Sequence, residues 1–228
     1  MVQSLKVILW GEEIGRLAWD VKRRLSYFMY NPAFLKKGLN ISPLAAPVDG
    51  ARGLTPVWGE EAKIYQKLPA FLADSLPDAW GNQLFELWRQ QNHLSNADIT
   101  PLDKLSFIGK RGMGALEFLP EVSRERKAEK IDIKSLAILA RRIFSERENA
   151  RILPEESVTM QSLFTVGTSA GGRQPKVIVA IKYGVAEHWI GRVENTIIDH
   201  LKSWGELEEM VPEICEFVIN GHIYSLNS

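Results

Sequence analysis

The stretch "SLKVILWGEEIGRLAWD", Ser4 to Asp20, decides how the chain begins to fold. It holds two apolar runs on either side of Gly11-Glu12-Glu13, a spacing that is typical of a β-hairpin. A further aromatic-rich run, "RLSYFMYN", alternates large side chains and ends at Asn31-Pro32, which predicts a third strand. The chain therefore opens with a small antiparallel sheet.

Helix signals dominate the next hundred residues. "LPAFLADSLPDAWGNQLFELWRQQ" predicts one helix up to Ser75 and, after Pro77, a second helix with Asp78 as its N-cap. The second helix carries one apolar face, and we expect this face to be core rather than a partner surface: Trp80, Leu84, Phe85 and Trp88. "PLDKLSFIG" predicts a short helix closed by Gly109, and "GALEFLPE" predicts a strand stopped by proline.

The second half of the chain follows a charged stretch, "SRERKAEK" (123–130), which predicts a solvated linker. "DIKSLAILARRIFSE" predicts an amphipathic helix, with one apolar side: Leu136, Leu139, Ala140 and Ile143. "TMQSLFTVG" and "PKVIVAIKYG" predict two strands with a loop of small residues between them. "VPEICEFVINGHIYSLN" predicts a hairpin around Asn220-Gly221.

Composition indicates an ordinary globular protein, with 45% apolar and 25% charged residues in a chain of 228. Its 28 basic and 28 acidic residues balance, which gives no electrostatic case for a DNA-binding surface. The start of the chain lacks the apolar core of a signal peptide, and no apolar run approaches the roughly 18–20 residues that span a bilayer. A single cysteine, Cys215, excludes an internal disulfide framework. We expect a cytoplasmic protein without membrane association.

Charge is unevenly distributed along this neutral chain. Residues 187–228 hold eight of the acids and only two of the bases, Arg192 and Lys202. The last part of the chain is therefore acidic and the remainder is basic.

The stretch "FTVGTSAGGRQPKVIVAIK" (164–182) raises a question of function. Small residues around Gly167, Gly171 and Gly172 can direct several backbone N–H groups at one anion, with Arg173 and Lys176 adding charge. Spacing alone leaves two interpretations open, a phosphate-binding loop and a glycine-rich hairpin turn without a ligand. The loop is not a Walker A motif, because Arg173-Gln174 stands where Lys-Ser/Thr is required. "VAIK" (179–182) matches the kinase strand that carries a phosphate-pairing lysine.

Four segments, taken in order, resemble the HipA family, the serine/threonine kinase toxins of bacterial HipBA toxin–antitoxin pairs. "FMY" with "PLAAPV" is similar to the family's aromatic strand and proline-flanked segment, and "FLADSLPDAWG" to its Phe-x-x-x-Leu-Pro-Asp stretch. "LSFIGKRGMGALEFLPE" resembles its Ile-Gly-x-x-x-x-Gly-Ala strand approach, and "TSAGGRQPK" its Ser-x-Gly-Gly-x-x-Pro-Lys loop. The resemblance covers residues 5–182, most of the chain.

The resemblance implies a nucleotide-binding loop that covers the phosphates of ATP: Gly171, Gly172, Arg173, Gln174, Pro175 and Lys176. It implies that Ser169 matches the serine that the family autophosphorylates. Phosphorylation there silences the family's kinases, because the added negative charge cannot share a site with the phosphates of ATP. It also implies ATP and Mg²⁺ as cofactors, and as partner a HipB-like DNA-binding antitoxin or a complementary kinase chain, so that DNA is contacted only indirectly.

The sequence departs from the family after Trp189-Ile190. The family's phosphate lysine follows in a Trp-Ile-x-Lys-Phe context, whereas this chain continues with Gly191-Arg192, so we expect that apolar strand and its lysine to be missing. Asp199-His200 is not followed by an Asn or a second acid at catalytic-loop spacing. We therefore assign no catalytic and no metal-binding residue.

Two functions remain open at this point. The first is a truncated HipA-like kinase toxin without activity of its own and with weak or no ATP binding, whose tail comes from a changed reading frame or an unrelated sequence. The alternative is a non-catalytic, antitoxin-like regulatory module that pairs with a separate HipA-type kinase.

The predicted fold class is α+β, a small β-rich subdomain with packed helices followed by part of a protein-kinase-like N-lobe of antiparallel strands. The expected boundaries are 1–122 for the HipA-like N-terminal subdomain and 123–130 for the linker. Residues 131–186 form the partial N-lobe with the glycine-rich loop, and residues 187–228 form a divergent acidic tail.

Overall fold

A computed structural model describes residues 2–44, 46–48, 63–112, 114–122, 133–166, 176–183, 185–192, 216–219 and 222–225. From residue 165 onward it describes the backbone only. The described chain is an α+β fold containing two four-stranded sheets. It divides into a first unit, Met1–Pro77 with Leu94–Arg124, and a second unit, Asp78–His93 with Glu125–Ser228.

The first unit is built on an antiparallel sheet with strand order β3-β2-β1-β4. Its strands are β1 (Ser4–Leu9), β2 (Glu12–Asp20), β3 (Leu25–Tyr30) and β4 (Leu116–Leu119). The predicted hairpin, the third strand and the proline-stopped strand are therefore confirmed. The short helices α1 (Pro32–Leu35) and α2 (Ala70–Ala73) and the longer α4 (Pro101–Ile108) also belong to this unit.

The core of the first unit lies on one face of this sheet. Alternate residues of a strand point to the same face, and on this face they are apolar. Leu5, Val7 and Leu17 are fully buried there with Phe28. The Phe28 ring meets Tyr30 and Phe71 edge-on, at centroid distances of 5.0 and 5.3 Å, a favourable geometry for aromatic pairs.

Helix α4 is fixed to the sheet at its first turn. Thr100 and Asp103 form a capping box, and the Asp103 Oδ2 accepts from the Thr100 N–H at 2.8 Å. The other Asp103 oxygen accepts from the backbone N–H of Val2 at 2.6 Å, just before β1. One buried carboxylate therefore caps the helix and fixes the start of the sheet.

The turn from α4 to β4 depends on Gly109, which ends the helix with φ +57°, as the sequence predicts. A Cβ at this position would lie 2.4 Å from the Glu121 side chain. Glu121 in turn pairs with buried Arg111, Nε to Oε1 at 3.1 Å, and the Arg111 guanidinium lies 5.1 Å from the centre of the Phe107 ring. The backbone angle favours glycine here, and a Cβ would also have to displace the Glu121 side chain.

The helices of the second unit are α3 (Ala79–Gln91), α5 (Ile133–Glu146) and α6 (Ser157–Val166). Asp78 caps α3 as predicted, accepting from the Gly81 N–H at 2.7 Å. The predicted apolar side of α3 is buried except for Trp88, which is half-buried, and that of α5 is buried: Trp80, Leu84, Phe85, Leu136, Leu139, Ala140 and Ile143. Gln83 Nε2 donates to the Ile143 carbonyl oxygen at 2.6 Å, which joins α3 to α5.

These units differ from the expected boundaries at helix α3. Helix α3 groups with the second unit, whereas residues 1–122 were expected to form one subdomain. The expected linker, 123–130, lies outside the described residues, so its nature stays a prediction.

The sheet of the second unit has the order β6-β5-β7-β8, formed by β5 (Lys176–Tyr183), β6 (Val185–Arg192), β7 (Glu216–Ile219) and β8 (His222–Ser225). The predicted hairpin around Asn220-Gly221 is confirmed by antiparallel pairing of β7 with β8. Strand β6 runs across the expected 186/187 boundary, and parts of the acidic tail belong to this sheet.

The strand predicted from "TMQSLFTVG" is a helix instead. Residues 159–166 of this stretch lie in helix α6, although their β-branched and aromatic side chains favour a strand locally. Met160, Leu163 and Phe164 are buried at i, i+3 and i+4, which is a helical period. Tertiary burial of this stripe outweighs the local strand preference.

We predict that Trp10→Asn stabilises the first unit. Trp10 and Gly11 form the two-residue turn between β1 and β2, with φ of +50° and +81°, and the Trp10 side chain is 81% exposed. A left-handed conformation costs an ordinary L-residue roughly 1–2 kcal/mol, whereas Asn-Gly suits such turns. Urea denaturation should show that the free energy of unfolding rises by about 0.5–1 kcal/mol. Trp10→Ala is the control, because it removes the indole and keeps the strained Cβ; an equal gain from Trp10→Ala would refute the explanation.

Candidate functional site

The candidate site is the end of β5 that the glycine-rich loop enters. Six of the predicted residues lie outside the described part of the chain: Ser169, Gly171, Gly172, Arg173, Gln174 and Pro175. Lys176 is the first residue of β5, and its backbone is described. The structure therefore locates both ends of the loop, and the predicted roles of the six residues stay predictions.

The element before the loop tests the interpretation of the loop as a hairpin turn. Residues 167–175 connect helix α6 to strand β5, so the loop is not a turn between two strands, and the hairpin interpretation is wrong. The loop also leaves the C-terminal end of a helix, which carries partial negative charge. In a Walker A loop a helix N-terminus follows and assists the phosphate. Here an anion has to be held by loop N–H groups and by cations.

Arg142 positions the helix that leads into this loop. Its guanidinium on α5 donates to Glu146 Oε2 at 2.8 Å, to Glu156 Oε1 at 3.0 Å and to the Arg151 carbonyl oxygen at 2.9 Å. Glu156 Oε2 also accepts from the backbone N–H of Leu153 at 2.9 Å. The network is only partly exposed and binds the segment just before α6 to α5.

Strand pairing places a second cation beside Lys176. In the antiparallel ladder of β5 and β6, Lys176 pairs with Arg192, the last residue of β6. Directly opposed residues in such a ladder have Cα atoms about 4.5–5.5 Å apart. The end of the loop and Arg192 therefore meet at one corner of the sheet.

Sequence reasoning missed Arg192. The apolar strand that we expected to be missing is present as β6. Arg192 follows Trp189 by three residues, which is the offset of the lysine in the family's Trp-Ile-x-Lys-Phe context. The signal was available in this spacing, but the change from lysine to arginine concealed it. Arginine presents a planar fork of donors that suits phosphate oxygens.

Lys182, the lysine of the "VAIK" match, lies elsewhere on the sheet. It pairs with Ala186 and is six residues from Lys176 along β5. At about 3.3 Å per residue this separation is about 20 Å, too far for both lysines to hold one phosphate group. Lys176 and Arg192 form the pair that can act together.

Metal ligands are not identified at this corner. Within the described residues no cluster of three or more His, Cys, Asp or Glu side chains is arranged to bind a metal ion.

None of the described helices has the length and apolar character needed to cross a membrane.

Comparisons with known proteins bear mainly on the first unit. A family model described as the HipA N-terminal domain matches residues 5–119, about half of the chain. A comparison with curated protein sequences finds no match. A structural comparison finds a chain of the toxin–antitoxin complex of HipA, HipB and operator DNA from Shewanella oneidensis MR-1, at 20% identity and a TM-score of 0.42. The match covers 82% of this chain and 39% of that one, so this chain spans well under half of its length.

We predict that Arg142→Gln loosens the approach to the loop. The substitution removes the charged donors that hold Glu156 to α5, and a partly buried charged hydrogen bond contributes about 1.5–3 kcal/mol. Amide hydrogen exchange should accelerate in the first turn of α6, while β1 and β2 keep their protection. Arg141→Gln is the matched control, since Arg141 is exposed on the same helix. Unchanged exchange in α6 would contradict this role for Arg142.

Proposed function

The chain belongs to the HipA N-terminal domain family, and from this we propose that it is a HipA-like kinase chain that holds nucleotide phosphates without transferring them. Lys176, Arg192 and the loop residues Gly171–Pro175 bind the phosphates of ATP–Mg²⁺. The reaction class of a complete relative would be protein serine/threonine phosphorylation in a toxin–antitoxin system. The protein works in the reducing cytoplasm, which its single Cys215 favours.

The observation that carries the proposal is the pairing of Lys176 with Arg192. Like charges directly opposite each other destabilise an antiparallel pair unless something neutralises them. A polyphosphate neutralises both, and the small residues before Lys176 let backbone N–H groups approach it. A structural strand pair gains nothing from this arrangement.

The chain is proposed to be inactive alone because phosphoryl transfer depends on further groups. It requires an aspartate beside the accepting hydroxyl and carboxylate or amide ligands for Mg²⁺. Asp199 is not followed by the Asn that a kinase catalytic loop carries, and we find no other aspartate in the sequence with that spacing. A complementary kinase chain would provide these groups, and a HipB-like antitoxin is the second partner that the family suggests.

A non-catalytic regulatory module is the rival function. The family match supports it, because the match covers residues 5–119 and not the loop or its strands. Such a module needs no nucleotide, so nucleotide binding separates the two functions.

We predict weak, specific nucleotide binding by the full chain. Titration of a fluorescent ATP analogue with Mg²⁺ should show saturable binding that Lys176→Ala and Arg192→Ala each weaken about tenfold or more, since a charged contact contributes about 1.5–3 kcal/mol. Arg192→Lys should retain most of the affinity, because it keeps the charge at the position. Lys182→Ala is the matched control on the same strand and should bind as the unaltered chain does.

Several results would count against the proposal. Loss of binding in Lys182→Ala with no effect of Arg192→Ala would favour the "VAIK" lysine instead. No binding by the unaltered chain would favour the regulatory module. Incorporation of phosphate from ATP into Ser169, or into an added protein, by the chain alone would show that it is an active kinase.

A further inference from the structure

Cations gather at one end of the first unit, in the turn between β2 and β3. Asp20 pairs with Leu25 at the end of the ladder, so residues 21–24 form a four-residue turn. Lys22, Arg23 and Arg24 are all exposed in it. The paired strands on both sides hold these three consecutive cations on a fixed support.

Several other cations of the first unit form ion pairs with acids. Lys6 and Arg16 both pair with Glu13, and Lys37 pairs with Glu12. Within the described residues Lys22 and Arg24 form no ion pair. Such unneutralised charge is available to a ligand.

Arg23 is held in place without losing its charge. The Asp20 carboxylate accepts from the Arg23 backbone N–H at 3.0 Å and so caps the turn. The guanidinium donates to the Tyr27 hydroxyl at 3.2 Å. Tyr27, and more weakly Asp20, raise the pKa of the Arg23 side chain, which stays cationic.

The fold adds a fourth cation that is distant in sequence. The Lys67 carbonyl oxygen accepts from the Ser26 N–H at 3.3 Å and from the Ser26 hydroxyl at 2.7 Å. The Lys67 backbone therefore lies beside β3, next to a residue only two positions from Arg24, and Lys67 is half-buried. We call Lys22, Arg23, Arg24 and Lys67 the basic end.

We propose that the basic end binds the phosphate backbone of duplex DNA directly. The chain is neutral overall, but exposed charges act over a Debye length of about 10 Å at 0.1 M salt, so local charge decides whether a phosphate is attracted. A duplex presents about one negative charge per 1.7 Å of its axis. This surface lies in the first unit and goes beyond the proposed nucleotide site.

The side chains around the basic end favour this ligand over others. Protein interfaces usually centre on large aromatic anchors. In the turn of residues 21–24, the one exposed apolar side chain is Val21, which is not aromatic. Single-stranded nucleic acid is held by stacking on exposed aromatic rings, whereas Trp19 and Tyr27 are partly buried. Neutralisation of duplex phosphates needs only the arginine and lysine groups.

The test measures binding of the full chain to a fluorescein-labelled 24-base-pair duplex by anisotropy across a salt series. The test variant is Lys22→Gln/Arg23→Gln/Arg24→Gln, and the control is Lys36→Gln/Lys37→Gln/Lys110→Gln, which removes three exposed charges elsewhere in the first unit. We expect the test variant to bind at least about tenfold more weakly at 50 mM salt. Its salt slope should fall by about 0.9 for each cation lost. The control should match the unaltered chain, and circular dichroism should show the same melting temperature for all three.

Three results would overturn the proposal. The first is no binding of the duplex by the unaltered chain at 50 mM salt. The second is equal weakening by the control variant, which would show general charge attraction. The third is displacement of the duplex by polyglutamate at an equal concentration of charge, which would assign the basic end to an acidic protein.

Discussion

The antiparallel register of β5 and β6 determines where the cations of the proposed nucleotide site lie. One residue separates the two strands in sequence, so the ladder begins at the pairing of Tyr183 with Val185 and runs to Lys176 with Arg192. Side chains alternate between the faces of a sheet, and a slip of one residue would place Arg192 on the opposite face from Lys176. The short connection therefore fixes the chemistry at the far end of the strands.

Much of the fold could be predicted where local signals and burial agree. The Asp78 cap, the Gly109 helix end and the first three strands follow from side-chain chemistry that acts within a few residues. Helix α6 could not be predicted in this way. Its residues have strand preferences, and only the packing of Met160, Leu163 and Phe164 in the second unit selects the helix. The strands β7 and β8 were predicted as a hairpin, but nothing local indicates that β7 pairs with β5.

The two proposed sites also combine residues that can be recognised from nearby sequence with residues that only distant contacts bring into place. The loop around Gly171 is recognisable from its small residues, because a dense run of such residues serves close approach to an anion. The position of Arg192 beside Lys176 follows only from the pairing of two strands, and that of Lys67 beside β3 only from a hydrogen bond across 41 residues. Total charge is equally uninformative, since 28 acids and 28 bases sum to zero while pairing removes only some of the cations. Both proposed sites depend on how the fold places charges, which the total does not reveal.

The most direct measurement of the central claim is cross-strand disulfide formation in a Cys215→Ser background. Lys176→Cys with Arg192→Cys places two thiols at directly opposed positions, whose Cα separation of about 4.5–5.5 Å lies within the range that a disulfide bridges. Mild oxidation followed by mass spectrometry should show near-complete linkage of this pair and little linkage of Lys176→Cys with Gly191→Cys. Preferred linkage of residue 176 to residue 191, or no linkage of either pair, would contradict the register and with it the joint action of Lys176 and Arg192.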